Sequence, residues 1–357
     1  MTDWLPYLII AAIIVFVIVS AWGVRRLQAR HVRSAVAGES QAVSSGHQRV
    51  AVVINPSKLR AEEALSTIIR SATLAGWETP LFFETTVEDP GYSQTRRALE
   101  AGVDVVIAGG GDGTVRAVAE VLSGTDVAMG LLPLGTGNLL GRNLDIDVGD
   151  LYAAVQTALF GSQRFIDTAR IKIANSVTKE SSQHTFLVIA GIGLDAEVVG
   201  DTKDDLKKAV GWLAYTEAGV RHLPGRRKTV TISLDDEPEQ KRKIRSVLFA
   251  NCGLIPGGID FIPGAMIDDG QLDVVVMSPR SAIGWLAMYG KIVFKHKHDL
   301  PMMNFYSARK ITIRSAEPME TQLDGDPSGA ATEVTVEVDP RSLLVRVKNN
   351  SVDTSEN

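Results

Sequence analysis

Cysteine is almost absent from this chain: Cys252 is the only one among 357 residues. A single cysteine excludes intrachain disulfides and Cys-rich zinc sites, and it favours a reducing compartment. The chain also lacks an excess of positive charge, since the formal net charge is −5, so no overall basic field argues for nucleic acid as a partner. The six histidines are scattered, and His296 and His298 lie in a basic cluster rather than at metal-ligand spacing.

Charge is missing altogether from residues 4–24, which are dominated by Ile, Val, Leu and Ala. About twenty such residues are enough to cross a bilayer. Asp3 precedes the stretch, and four arginines follow it: Arg25, Arg26, Arg30 and Arg33. We therefore predict a single-pass transmembrane helix, a flexible tether up to residue 48, and a catalytic part in the cytoplasm. A cleaved signal peptide is the alternative, but it needs its positive charges before the apolar run.

A glycine-rich turn is the feature around which the remaining chain is organised: Gly109, Gly110, Gly111, Asp112, Gly113 and Thr114. The apolar run 103–108 before it predicts a buried strand, and the apolar spacing in 115–122 predicts an amphipathic helix. Glycines let the backbone approach a ligand closely, and a helix N-terminus attracts anions. Because Asp112 would repel a bare phosphate, the combination suggests a nucleotide phosphate handled with Mg²⁺. An ordinary tight turn is the alternative.

A second turn of this kind follows about twenty residues later, after the apolar run 128–132. It contains Pro133, Leu134, Gly135, Thr136, Gly137 and Asn138. Two strands that end in such loops predict one crevice at the carboxyl ends of a parallel sheet.

Strand and helix patterns alternate in the first half: strands at 50–54 and 81–84, helices at 61–75 and 94–101. This alternation predicts a doubly wound, Rossmann-like α/β domain. From residue 165 onwards short strand patterns dominate, which predicts a β-rich, sandwich-like second domain. The predicted strands are 165–173, 185–189, 229–234, 247–250, 272–277, 311–314 and 334–338, and the predicted helices there are 206–222 and 281–295. We place the anchor and tether at 1–48, the nucleotide-binding domain at 49–164 and the β-rich domain at 165–348.

The two glycine turns together resemble the catalytic domain of the diacylglycerol kinase and sphingosine kinase family of lipid kinases. The resemblance covers roughly residues 49–347, and that fold is distantly similar to NAD kinases and phosphofructokinases. It implies ATP and Mg²⁺ as cofactors. The residues that it assigns to nucleotide binding are Asn55, Pro56, Ser57, Gly109, Gly110, Gly111, Asp112, Gly113, Thr114, Gly135, Thr136 and Asn138. For Asn55 alone, a simple turn role is an equal alternative.

Two further motifs of the second half resemble the family. In bacterial members a structural Mg²⁺ binds at a motif like 268–273, which here implies Asp269 with the carbonyls of Met266 and Gln271. Asp324-Gly325-Asp326 resembles the family's Asp-Gly-Glu and implies Asp326 as the general base, with Asp324 orienting it or the metal. Plain turns are the alternatives for both motifs. Asp167 resembles the family's entry to this domain, or is a surface strand residue.

The chain departs from the family at several positions near the nucleotide. Arg116-Ala117 stands where Asn-Glu is usual, and Leu139 stands where Asp is usual. Lys58-Leu59 replaces the glycine that is usual shortly after the first nucleotide loop. Arg116 and Arg142 are candidate substitutes for the missing polar contacts. Two basic stretches, 221–228 and 291–298, are either solvated faces or contacts for anionic headgroups.

The pattern favours a membrane-anchored lipid kinase that phosphorylates a hydroxyl of diacylglycerol or a related lipid such as a sphingoid base. Its expected partners are the lipid substrate, ATP and the bilayer, without nucleic acid; a homodimer is left open. Two alternatives remain at this stage. One is a kinase of a soluble metabolite such as NAD, and the other is a membrane scaffold that binds nucleotide without turnover.

Overall fold

The computed structural model describes residues 47–193, 226–255, 259–262, 264–281, 284–285, 288 and 300–349. The predicted membrane span 4–24, the predicted helix 206–222 and most of the predicted helix 281–295 lie outside these residues. Among the residues that are described, no helix has both the length and the apolar character needed to cross a bilayer.

The first half alternates strands and helices as predicted. Its elements are β1 Val50–Ile54, α1 Ala61–Leu74, β2 Leu81–Glu84, α2 Tyr92–Glu100, β3 Val105–Gly110, α3 Asp112–Leu122, β4 Ala128–Pro133, α4 Leu139–Asn143 and α5 Leu151–Phe160. The strands pair in parallel in the order β2-β1-β3-β4. Three of them, β1, β3 and β4, are apolar runs buried against α1, α3 and α5, whereas the edge strand β2 is largely exposed. The predicted parallel α/β domain is confirmed.

Helix α2 begins two residues before its predicted start, at Tyr92 rather than at residue 94. The carboxylate of Asp89 accepts hydrogen bonds from the backbone N–H groups of Gly91, Tyr92 and Ser93. These groups have no partner inside a helix, so a carboxylate at this position stabilises the first turn. The apolar periodicity of the sequence does not record this contribution.

The second half is β-rich, as predicted. Its strands are β5 Ser162–Asn175, β6 Glu180–Phe186, β7 Ile189–Gly193, β8 Lys228–Leu234, β9 Gln240–Ile244, β10 Ser246–Ala250, β11 Leu254–Ile255, β12 Ile259–Asp260, β13 Leu272–Met277, β14 Met303–Ala308, β15 Lys310–Leu323 and β16 Asp326–Val347. Except for β16 beside β4, the pairings of these strands are antiparallel. Their inward side chains form a second apolar cluster that includes Phe186, Phe249, Ile313 and Val336.

Strand β16 joins the two halves. It starts at Asp326, runs antiparallel to β15 and β5, and near its end pairs in parallel with β4 through Val345 and Met129. One hydrogen-bonded sheet of 14 strands therefore continues from the first half into the second. Because of this continuity, the boundary at residue 164 stays a prediction.

The predicted strand 185–189 is wrong in its middle. Strand β6 ends at Phe186 and β7 starts at Ile189, so Leu187 and Val188 fall between two strands. Both side chains are apolar and buried, which is why the sequence reads as one continuous strand. Their backbone N–H groups, however, donate to the carboxylate of Asp324 instead of to a neighbouring strand.

Candidate functional site

The loops that follow β1, β3 and β4 lie at the same edge of the parallel sheet. The backbone N–H of Asn55 donates to the carbonyl of Gly109 at 2.8 Å, and that of Leu134 donates to the carbonyl of Gly110 at 3.0 Å. The two glycine turns therefore meet at the carboxyl ends of these strands, where the sequence predicts them. A ligand crevice between them stays a prediction.

Three glycines of these turns stand where any side chain would collide with a neighbour. A Cβ on Gly135 would lie 2.6 Å from the Cα of Gly111, and one on Gly137 would lie 2.5 Å from Oδ2 of Asp112. A Cβ on Gly110 would meet Thr114 at 2.5 Å. The sequence predicts that these glycines make room for a ligand. In the structure they make room for the opposite turn and for the first turn of α3.

Asp112 joins the two glycine turns. Its Oδ1 accepts the N–H of Leu139 at 2.6 Å, and its Oδ2 accepts the N–H of Asn138 at 3.0 Å. Burial raises the pKa of this carboxyl to about 6; the two amides oppose the shift, while the charges of Asp324 and Asp326 add to it. Both its oxygens bind the 138–139 backbone, so Asp112 shapes this loop; the expectation that it also acts on metal or nucleotide stays a prediction.

Asn138 closes its own turn. Its Oδ1 accepts the N–H of Gly135 at 2.9 Å, and its Nδ2 donates to the carbonyl of the same residue at 2.7 Å. Its backbone is left-handed with φ 47°, and its side chain is buried. The amide group of Asn138 thus shapes the loop, and Thr136 is the exposed polar side chain at the tip.

Asn55 also makes a local contact. Its Oδ1 accepts hydrogen bonds from the N–H of Ser57 at 3.0 Å and from the hydroxyl of Ser57 at 2.7 Å. Pro56 and Ser57 are exposed. These bonds fit the turn role that the sequence left as an alternative for Asn55. The next residue, Lys58, places its ammonium 3.9 Å from where a Cβ on Gly111 would lie, so a cation stands beside the glycine turn.

Asp324 and Gly325 form the two-residue hairpin turn between β15 and β16, with φ values of 48° and 89°. Positive φ at both positions is what this class of hairpin requires. The carboxylate of Asp324 is buried and accepts three backbone N–H groups, those of Leu187, Val188 and Ile189, at 3.1, 2.9 and 3.0 Å. Burial raises its pKa, although nearby Arg116 and the three amides oppose this. Asp324 is therefore an anchor of the hairpin, and no contact with Asp326 or a metal is needed to explain it.

Asp326 follows the turn and lies against the first half of the chain. Its Oδ2 accepts a hydrogen bond from Nη2 of Arg116 at 3.1 Å, and it lies 3.7 Å from where a Cβ on Gly113 would be. Its side chain is 48% exposed, whereas that of Arg116 is 17% exposed. Tertiary structure thus brings the predicted base to the N-terminus of α3, where the glycine turn ends.

The predicted metal loop lies elsewhere, around residues 266–271. Oδ1 of Asp269 accepts the N–H of Gln271 at 3.0 Å, and Met266 is half-exposed. Within the described ranges, no group of three or more His, Cys, Asp or Glu side chains is arranged to hold a metal. The predicted ligands include two backbone carbonyls, so this finding does not decide the prediction.

Asp167 is fully buried beside the same loop, so its alternative reading as a surface strand residue is wrong. Its carboxylate accepts the N–H groups of Gly270 and Arg341, both at 2.7 Å. Burial raises its pKa, and the neighbouring charges of Asp269 and Asp268 add to the rise. Asp268 itself pairs with Arg164 at 2.6 Å.

Two asparagines that no sequence motif identifies connect these parts. Nδ2 of Asn251 donates to the carbonyls of Asp167 and Leu187, which links the metal loop to the segment that anchors Asp324. Asn143 exchanges two 3.0 Å hydrogen bonds with the backbone of Leu254, which holds β11 against α4. Neither asparagine belongs to a recognisable motif, and every one of these partner residues is more than 60 positions away along the chain.

The comparisons with known proteins agree with this architecture. Residues 49–171 match the family described as diacylglycerol kinase catalytic domain. Residues 188–347 match the family described as YegS C-terminal NAD kinase beta sandwich-like domain.

Relatives of the whole two-domain chain are also found. The diacylglycerol kinase of Bacillus subtilis (strain 168) is 27% identical over 292 residues, which cover 79% of this chain and 91% of that protein. "Probable lipid kinase YegS-like" of Pseudomonas fluorescens is 27% identical over 285 residues, covering 78% and 89%. A solved diacylglycerol kinase structure from Bacillus anthracis str. Sterne superposes with a TM-score of 0.62 at 21% identity, covering 84% of this chain and 97% of that one, and it shows the fold.

In chain order, the protein is thus similar to a diacylglycerol kinase catalytic domain and then to a YegS-type C-terminal domain. Its named relatives are kinases, which indicates a phosphotransferase.

Proposed function

We propose that this protein is an ATP- and Mg²⁺-dependent lipid kinase that phosphorylates a hydroxyl of diacylglycerol or of a related lipid such as a sphingoid base. One observation carries the proposal. A partly exposed carboxylate, Asp326, lies at the N-terminus of α3, beside the glycine turn. The proposed binding site for the ATP phosphates and a proton acceptor are therefore adjacent, as phosphoryl transfer to an alcohol requires.

The first domain supplies the phosphate site. The glycine turn leads into α3, whose first backbone N–H groups have no partner inside the helix and carry a partial positive charge. Lys58 adds a full positive charge beside Gly111. Such groups favour the terminal phosphates of ATP and the charge that develops as the phosphoryl group moves.

In the reaction, the lipid hydroxyl oxygen forms a bond to the γ-phosphorus while the bond between that phosphorus and the β,γ-bridging oxygen breaks. ADP leaves with the electron pair, and the hydroxyl proton passes to the carboxylate of Asp326. Asp326 suits this role better than Asp112 or Asp324. The oxygens of those two residues are already used by backbone amides, whereas Asp326 is half-exposed.

The residues near 269 fit a bound Mg²⁺. All the proposed donors are oxygens, which Mg²⁺ prefers. The charge of Asp269 contributes to the raised pKa of both Asp167 and Asp273, for which burial is the larger cause, so a cation there would relieve repulsion. Asp269 with the carbonyls of Met266 and Gln271 would hold the ion. Bound there, Mg²⁺ would neutralise the negative charge of the neighbouring carboxylates.

Membrane attachment through residues 4–24 belongs to the same proposal. Holding the enzyme on the bilayer raises the local concentration of a lipid substrate. It supports a lipid over a soluble acceptor without selecting one lipid.

The test is transfer of labelled γ-phosphate from ATP to a panel of acceptors: diacylglycerol, ceramide, sphingosine, extracted lipids and NAD. We expect label on a lipid with Mg²⁺ and none when EDTA replaces it. Label on NAD alone would favour the soluble-metabolite kinase. Nucleotide binding without label on any acceptor would favour a protein that binds nucleotide without turnover.

A further inference from the structure

Arg116 connects the second turn of α3 to the hairpin of the second domain. Its Nη1 donates to the carbonyl of Leu323 at 2.8 Å, and its Nη2 donates to Oδ2 of Asp326 at 3.1 Å. Leu323 and Asp326 are the last cross-strand pair before the hairpin turn. The guanidinium therefore spans both strands at the base of the turn, from a residue more than 200 positions earlier.

This connection is specific to the residue that stands at 116. The adjacent residue, Ala117, is buried and nonpolar, so its side chain adds no hydrogen bond between α3 and the hairpin. A guanidinium is a rigid fork that can bind two acceptors at fixed positions, whereas an ammonium is a point charge. Arg116 uses that fork on two different residues, a carbonyl and a carboxylate.

The hairpin is held by two separate anchors. Asp324 fixes the turn itself through the three N–H groups of residues 187–189, which belong to the second domain. Arg116 fixes the carboxylate of Asp326 relative to α3, which belongs to the first. The first anchor sets the shape of the turn, and the second sets where the carboxylate lies relative to the phosphate site.

We infer that Arg116 is a positioning residue for the proposed lipid kinase reaction, holding Asp326 over the start of α3 so that it faces the transferred phosphoryl group. This inference rests on the proposed function. It differs from an assignment of Arg116 as a phosphate ligand, in which the guanidinium would act on ATP directly. The two roles separate kinetically, because positioning of the base affects kcat and phosphate binding affects KM for ATP.

The primary variants are Arg116→Ala and Arg116→Lys. Arg116→Ala should lower kcat about 10- to 100-fold, since a misplaced catalytic group commonly costs that much, while KM for ATP stays within about twofold. Arg116→Lys should recover only part of the loss, because one ammonium cannot reproduce the fork. Arg314→Ala is the matched control. Arg314 also forms ion pairs, with Glu239 and Glu333, but its position on β15 is away from the hairpin turn. It should leave kcat unchanged.

A double variant shows whether Arg116 acts through Asp326. If it does, adding Arg116→Ala to Asp326→Asn should lower kcat by less than about twofold, since coupled residues are not additive. Full additivity, or a rise in KM for ATP without a fall in kcat, would overturn the inference.

Hydrogen exchange tests the same inference without relying on activity. Arg116→Ala should speed amide exchange in peptides covering residues 323–328, while Arg314→Ala should not. Unchanged exchange there would overturn the positioning role whatever the protein phosphorylates. If exchange rises as expected but the parent protein labels no lipid, the proposed function has failed and the structural role of Arg116 stands.

Discussion

Asp112 and Asp326 are neighbouring carboxylates from different halves of the chain, the first on the glycine turn of the α/β domain and the second beside the hairpin of the β-rich domain. Asp112 binds the backbone of residues 138–139 with both oxygens. Asp326 binds one arginine and is otherwise half-exposed. A carboxylate whose hydrogen bonds are already made can shape a loop, but only one that remains accessible can accept a proton from a substrate. The comparison gives Asp112 a structural role in the loop and supports the proposal of Asp326 as the proton acceptor.

The largest expected effect comes from removing the accessible carboxylate. Asp326→Asn should lower turnover about 10²–10⁴-fold, roughly 3–5 kcal/mol of barrier, while ATP affinity and melting temperature stay nearly unchanged. Asp326→Glu, which restores the residue usual in the family, should retain more activity than Asp326→Asn. Initial rates and nucleotide titrations measure both. Asp236→Asn, at an exposed residue of the β8–β9 hairpin, is the control. Parent-like turnover in Asp326→Asn would move the base to another residue.

A smaller effect should appear in the pH dependence of stability, through Asp112. Its pKa is about 6 in the folded chain, above the ordinary value near 4 of an unfolded aspartate. The folded state therefore holds this proton more tightly, so the stabilisation is present below about pH 4 and is lost as the pH rises through about 6. The change is at most about 3 kcal/mol.

Melting of the parent and of Asp112→Asn, recorded from pH 4 to 7 without nucleotide or metal, measures this component. The variant lacks the titrating group, so the stability of the parent relative to the variant should decline across that range. If the melting temperatures of parent and variant change in parallel with pH, Asp112 does not titrate in this range. The comparison of Asp112 with Asp326 would then rest on hydrogen bonding and exposure alone.

The smallest expected effect concerns the contact between the glycine turns. Gly135→Ala introduces a methyl group 2.6 Å from the Cα of Gly111, and such overpacking costs about 1–3 kcal/mol. Nucleotide binding should weaken with stability, because the two turns must separate. Gly149→Ala is the matched control, since a Cβ there meets no atom within 4 Å. Equal melting temperatures for the two variants would contradict the close approach.

Much of the fold follows from local patterns in the sequence. Apolar runs that end in glycine turns, followed by helical spacing, identified β3, α3 and β4 and their common edge. The Asp324-Gly325 pair has the composition of a two-residue hairpin, which it is. These features depend on side-chain period and on the φ preferences of single residues, both of which are written in a few consecutive positions.

What the sequence could not decide is how the polar groups are paired. From the sequence alone, the glycines indicate space for a ligand and residues 185–189 indicate one strand. Local residue patterns do not show which distant residues become neighbours in space. Packing alone brings Gly111 to Gly135, Asp324 to the N–H groups of residues 187–189, and Arg116 to a hairpin more than 200 residues later. A hydrogen bond depends on ångström distances between groups that the sheet brings together, so tertiary structure decided which aspartate is bound to backbone amides and which one stays half-exposed.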